Sequence, residues 1–122
     1  MVILRWFFLG LFVLCSIYLL VNQSISTPRI LVLQSYGGDC SWTRGVDEGI
    51  KSILDNENNI KLKWYYMNTK NHLEKHYLEE IAVVAKRIID QFNPNIIIAV
   101  DDAAQKYVAR HYNNDPNIKI VF

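Results

Sequence analysis

Asp101 and Asp102 stand directly after the apolar run IIIAV (96–100) and directly before the helix-forming stretch AAQKYV. Adjacent carboxylates at such a junction suit acid–base chemistry, metal ligation, ligand binding or the capping of a helix. In the capping reading, Asp101 accepts a backbone N–H, and Asp102 in the first turn favours the positive end of the helix dipole. Two further segments carry chemistry. Ser35-Tyr36-Gly37-Gly38-Asp39-Cys40-Ser41-Trp42 offers hydroxyls, rings and a thiol, and Asn68-Thr69-Lys70-Asn71 offers amides and an amine. Tyr36 and Trp42 read equally as loop-covering hydrophobes or as stacking platforms for a ligand. Gly37-Gly38 lacks the third glycine and the spacing of a dinucleotide fingerprint, so it reads as a tight turn.

Other candidates carry less. His72 and His76 are four apart, a spacing that can hold a metal, but the residues between them match neither HExxH nor HxxEH and no third ligand is evident. A solvated helix face is the expectation there, and His111 at a helix end is expected to meet C-terminal carbonyls. Cys40 is the one cysteine outside the N-terminal segment, which leaves it no intrachain disulfide partner. There is no nucleophile elbow, P-loop or defensible Ser-His-Asp order. The expectation is a binding protein, not an enzyme, with no cofactor and no metal.

The elements that must position these residues alternate. RILVLQ (29–34) is a short apolar run, and residues 43–56 carry Val46, Ile50, Ile53 and Leu54 at helical spacing. IKLKWYYM (60–67) begins with strict alternation, with Ile60, Leu62 and Trp64 opposite Lys61 and Lys63. Residues 72–92 form the longest helix, with Leu73, Tyr77, Ile81, Val84, Ile88 and Phe92 down one face; Asn93-Pro94 ends it. A strand at 95–100, a helix from about 102 to 112, a turn at NNDP and a strand at 117–122 complete the order β-α-β-α-β-α-β.

Such alternation predicts a parallel sheet with helices on both faces. The continuously apolar first and third strands suit central positions covered on both sides, and the wet face of IKLKW suits an edge. The expected fold is therefore a flavodoxin-like α/β sheet of order 2-1-3-4, with its ligand edge at the carboxyl ends of the strands. An acidic pair in such a sheet also marks receiver domains. There, however, paired carboxylates are expected after the first strand, where this chain has Ser35 and Tyr36, and this argues against phosphoryl chemistry.

Ahead of the sheet, Arg5 precedes an apolar stretch, Trp6–Val21, and then polar Asn22, Gln23 and Ser24. This pattern describes a secretory signal, with Ser24 and Ser26 at the −3 and −1 positions for cleavage after Ser26. An uncleaved membrane anchor through residues 1–21 is the rival reading. Residues 1–26 are thus a signal peptide or anchor, the rest an exported, periplasmic or extracytoplasmic domain. The chain has 13 basic and 12 acidic residues. Without Arg5 the charges balance, which leaves no electrostatic footprint for nucleic acid.

ILVLQSY at 30–36, SWTRGVDEGI at 41–50, YMNTK at 66–70 and DDAAQKYV at 101–108 together resemble the ABC-transporter substrate-binding family of the type I periplasmic-binding-protein fold. The resemblance runs from about residue 29 to 122. It implies one of two α/β lobes around a cleft, a small solute such as an amino acid as ligand, and an ABC permease as partner. Related domains form extracytoplasmic parts of sensors. Carried over onto this sequence, Ser35, Tyr36, Lys70, Asp101 and Asp102 match segments of the family pattern; the expected ligand contacts are hydrogen bonds from Ser35, Asp101 and Asp102 with stacking from Tyr36 or Trp42. Asn68 and Ala103 depart from the Asp and Asn common at those places. Because the sequence reaches Phe122 on an apolar strand where relatives continue into a second lobe, the expectation is a truncated, single-lobe form.

Overall fold

The computed structural model describes the backbone of residues 1–122 and all side chains except those of residues 24–26. The cleavage-site serines, Ser24 and Ser26, therefore lie outside the described side chains. The elements are α1 (Val2–Ser26), β1 (Arg29–Gln34), α2 (Ser41–Leu54), β2 (Lys61–Tyr66), α3 (Lys75–Phe92), β3 (Ile96–Val100), α4 (Asp101–Tyr107) and β4 (Lys119–Val121). Short 3-10 turns at Thr69–Asn71 and Ala109–Tyr112 follow β2 and α4.

The four strands form one parallel sheet in the order β2-β1-β3-β4. The flavodoxin-like arrangement expected from strand character is the one observed. β1 is central because all of its residues from Ile30 to Gln34 are buried, which requires cover on both faces. β2 takes an edge with Lys61 and Lys63 exposed, and charged side chains there discourage pairing with another chain. Lys63 also lies 5.5 Å from the Phe92 ring centroid, so its stem covers apolar surface.

One face of the sheet carries the main core. Leu31, Leu33, Ile97 and Ala99 pack against Ala82, Ala85 and Ile89 of α3 and against Ala104 and Val108 near α4. Each large side chain buried in this way contributes roughly 1.5–3 kcal/mol. The other face meets α2 over β1 and β2, where Asp47 bonds to Gln34 and Tyr66 and Lys51 lies over the Trp64 ring. Beyond it the alternate residues of β3, Ile96, Ile98 and Val100, are only half-buried. β3 is therefore covered fully on one face only, contrary to the expectation of cover on both.

The buried line of α3 also differs from the expected one. It runs through Leu78, Ala82, Ala85 and Ile89. Tyr77, Ile81, Ile88 and Phe92 flank it half-buried, whereas Leu73 is 77% exposed and Val84 39%. The physical reason is closeness: at the nearest approach of helix to sheet only alanine fits, and alanines weigh little in an apolar pattern. On α2 the buried residues are Thr43 and Asp47, and Ile53 is 71% exposed. α3 starts at Lys75 instead of 72 and the last strand shortens to Lys119–Val121. The helix expected over 102–112 breaks at Val108, where φ is −125°.

Asn93 ends α3 in the left-handed conformation at φ 49°, donating its N–H to Ile89 at 2.7 Å, and Pro94 follows. The Asn93 carbonyl accepts from Arg29 Nε at 2.6 Å, and Asn95 Oδ1 accepts from the Arg29 amide at 2.9 Å. These bonds tie the end of α3 to the start of β1. The N-terminal helix stands apart from this core: Val2–Gln23, with mean hydropathy 2.2, is long and apolar enough to cross a membrane.

Candidate functional site

Ser35, the residue after β1, holds the carboxyl edge together. Its N–H donates to the Val100 carbonyl at 3.1 Å, and its carbonyl accepts from the Thr69 amide at 2.8 Å and the Thr69 hydroxyl at 2.7 Å. Its hydroxyl donates to the Val100 carbonyl at 2.7 Å and accepts from the Ala104 amide at 2.8 Å. The loops after β1, β2 and β3 therefore meet at one fully buried serine. Expected to reach a ligand, Ser35 has its hydroxyl proton committed to the protein. Thr69 was not singled out from sequence; its place two residues past the β2 apolar run is the signal that could have found it.

Asp101 does not cap α4. It sits at φ 65°, and no side chain of its own segment caps the helix, whose N-cap position is Val100. The left-handed turn carries the Asp101 carboxylate away from the helix amides, and its Oδ2 accepts from Trp42 Nε1 at 3.2 Å. A left-handed non-glycine residue costs of order 1–2 kcal/mol, so the surrounding contacts must hold it. Asp102 is exposed in the first helical turn.

Two concavities divide the expected site residues. The larger, about 660 Å³, is lined by Tyr36 and Asp102 together with Leu73, Lys106, Tyr107 and Arg110. The smaller, about 330 Å³, is lined by Asp39, Cys40, Arg44, Asn68, Lys70 and Asn71. Lys70 is thus separated from Tyr36 and Asp102, while Trp42 and Asp101 bond to each other outside both. Lys106 and Arg110 were not expected from sequence, because a cation on a short amphipathic helix reads as ordinary surface.

Lys70 Nζ lies 3.5 Å from Cys40 Sγ. The Thr43 backbone amide, first among several donors, holds the Cys40 thiol below its ordinary value against the opposing effect of burial. Beneath this region Asp47 is buried, accepting from Gln34 Nε2 at 2.5 Å and from the Tyr66 hydroxyl at 2.7 Å. Burial, and then the Asp47 carboxylate, push the Tyr66 hydroxyl up to about 12. Gln34 Oε1 and Thr43 Oγ1 are buried without a hydrogen-bond partner among the described residues.

His72 stacks on Tyr77 at 4.5 Å, and His76 meets Glu80 at 3.2 Å, so the two point to different partners. Among the described residues no group of His, Cys, Asp or Glu side chains is arranged to hold a metal.

Fold and edge define the class: a doubly wound parallel α/β domain with a polar carboxyl edge, preceded by an apolar helix. No family model, curated protein or solved structure matches the chain.

Proposed function

We propose that residues 27–122 are a solute-binding lobe of an extracytoplasmic ABC import component, with the carboxyl edge as one wall of the binding cleft. The observation that carries this reading is the larger concavity. It joins Tyr36 from the loop after β1 with Asp102 after β3, flanking the two central strands. Ligands of open parallel sheets gather at that edge, and a volume of about 660 Å³ suits a small organic molecule. The ligand class is an amino acid or similar solute. Asp102 would pair with its ammonium, Lys106 or Arg110 with its carboxylate, and Tyr36 would cover its apolar body. In this reading an opposing lobe closes the cleft, and an ABC permease receives the solute.

The test is a titration of the isotope-labelled full chain in detergent with a panel of single amino acids, followed by NMR. One wall alone encloses little of a ligand, so affinity is expected on the order of millimolar. Saturable shifts at Tyr36 and Asp102, lost in Asp102→Asn, support the reading. Absence of saturable shifts with every amino acid overturns it.

A second reading, an anchored extracytoplasmic sensor module, draws on α1. Its 25 residues span about 37 Å, against a hydrocarbon core of about 30 Å. Only Thr27 and Pro28 separate it from β1. Mass spectrometry of the mature protein distinguishes the two. A chain starting at Thr27 supports the exported soluble form, and an intact Met1 the anchor.

A further inference from the structure

The smaller concavity carries a separate inference, independent of the solute reading. Its donors converge from three places: Arg44 from α2, Lys70 and Asn71 from the turn after β2, and Asn68 from the residue before that turn. The ion pairs of the described residues are Lys75–Glu79 and His76–Glu80, both on α3, so neither Arg44 nor Lys70 is within ion-pair distance of a carboxylate. Among the described residues, Lys70 has the Cys40 sulfur as its one partner, and the side-chain NH₂ groups of Asn68 and Asn71 donate to none.

The geometry that brings these groups together is specific. Asn68 is left-handed at φ 53°. At Gly37 an added Cβ would stand 2.7 Å from Asn68 Oδ1 and 2.5 Å from Asp39 Oδ1. Asn68 Oδ1 therefore turns to the glycine backbone, a close approach that only glycine permits. Asp39 is the single carboxylate lining the concavity against two cations, so the balance is positive. Compact oxyanions match such a set, since guanidinium, ammonium and amide groups donate and do not accept at these atoms.

We propose that this concavity binds a tetrahedral oxyanion, phosphate or sulfate, through Arg44 and Lys70, with Asn68 and Asn71 completing its hydrogen bonds. The backbone amides of the first turn of α2 add to the field but do not define the site. The oxyanion arrives free or as the head of a phosphate monoester.

The experiment is a titration of the isotope-labelled full chain in detergent at neutral pH with inorganic phosphate, sulfate, and chloride at matched ionic strength. The expected result is saturable shifts at Asn68, Asn71 and Arg44 with phosphate and sulfate and none with chloride. Arg44→Met and Lys70→Met each weaken binding about tenfold, the loss of one charge-assisted hydrogen bond. Asp39→Asn tightens it, an effect that misfolding cannot imitate. Glycerol phosphate run alongside assigns the source: tighter binding than inorganic phosphate marks an ester, weaker binding a free ion. Equal shifts with chloride, full affinity in Arg44→Met and Lys70→Met, or unchanged affinity in Asp39→Asn overturns the proposal.

Discussion

The Ser35 hydroxyl stands between the Val100 carbonyl, 2.7 Å away, and the Ala104 amide, 2.8 Å away. Those two groups would form the first hydrogen bond of α4 if the helix started regularly. Asp101, at φ 65°, displaces the carbonyl, and the hydroxyl of a residue far back in the chain bridges the gap. The cap of α4 is therefore supplied by the loop after β1.

Removing that bridge leaves the fully buried Ala104 with an amide that has no acceptor. Ser35→Ala is expected to destabilise the domain by about 1–3 kcal/mol, read by urea denaturation. Hydrogen exchange at the Ala104 amide should accelerate together with it. Unchanged exchange there would show that the helix has closed its own first turn.

The left-handed backbone of Asp101 separates two further variants. Both Asp101→Gly and Asp101→Ala lose the hydrogen bond from Trp42, but only glycine adopts this conformation without steric cost. The glycine variant is expected to be more stable by about 1 kcal/mol. Equal denaturation midpoints for the two would remove the case for strain at this corner.

Tyr66 makes a pH prediction. Its hydroxyl is raised from 10.0 to about 12, by burial and then by its hydrogen bond and proximity to Asp47. The folded state then holds its proton where the unfolded state releases it. The associated stability is complete below pH 10 and is lost as pH rises from there through about 12. Tyr65 and Tyr112, also raised first by burial, add to the same slope. Tyr66→Phe should be less stable at neutral pH, because Asp47 loses a donor, yet show a shallower decline in alkaline denaturation series.

On α3, Ala85 is fully buried and Val84 is 39% exposed. Ala85→Leu overfills the contact with the sheet and should cost about 1–3 kcal/mol. Val84→Ala should stay within about 0.5 kcal/mol. Thermal unfolding of the pair tests which residue faces the core.

The alternation of apolar runs and amphipathic stretches determined, from sequence alone, the parallel sheet, its order and the N-terminal apolar helix. Burial of strand faces is a local property of residue type, and connections in such sheets allow few topologies. The same reasoning placed Ser35, Tyr36, Lys70, Asp101 and Asp102 at the carboxyl edge, because loops after strands must emerge there. What each group touches was decided only by tertiary structure. Ser35 became a cap for α4, Asp101 bonded to Trp42 in place of its own helix, and Lys70 parted from Asp102 into a second concavity. Hydrogen bonds between residues dozens of positions apart depend on the angle at which loops cross the edge. One left-handed residue sets that angle at Asp101, and residue spacing carries no signal of it. The buried line of α3 was likewise settled by how closely a helix could approach the sheet, which its two alanines permit and an apolar pattern does not register.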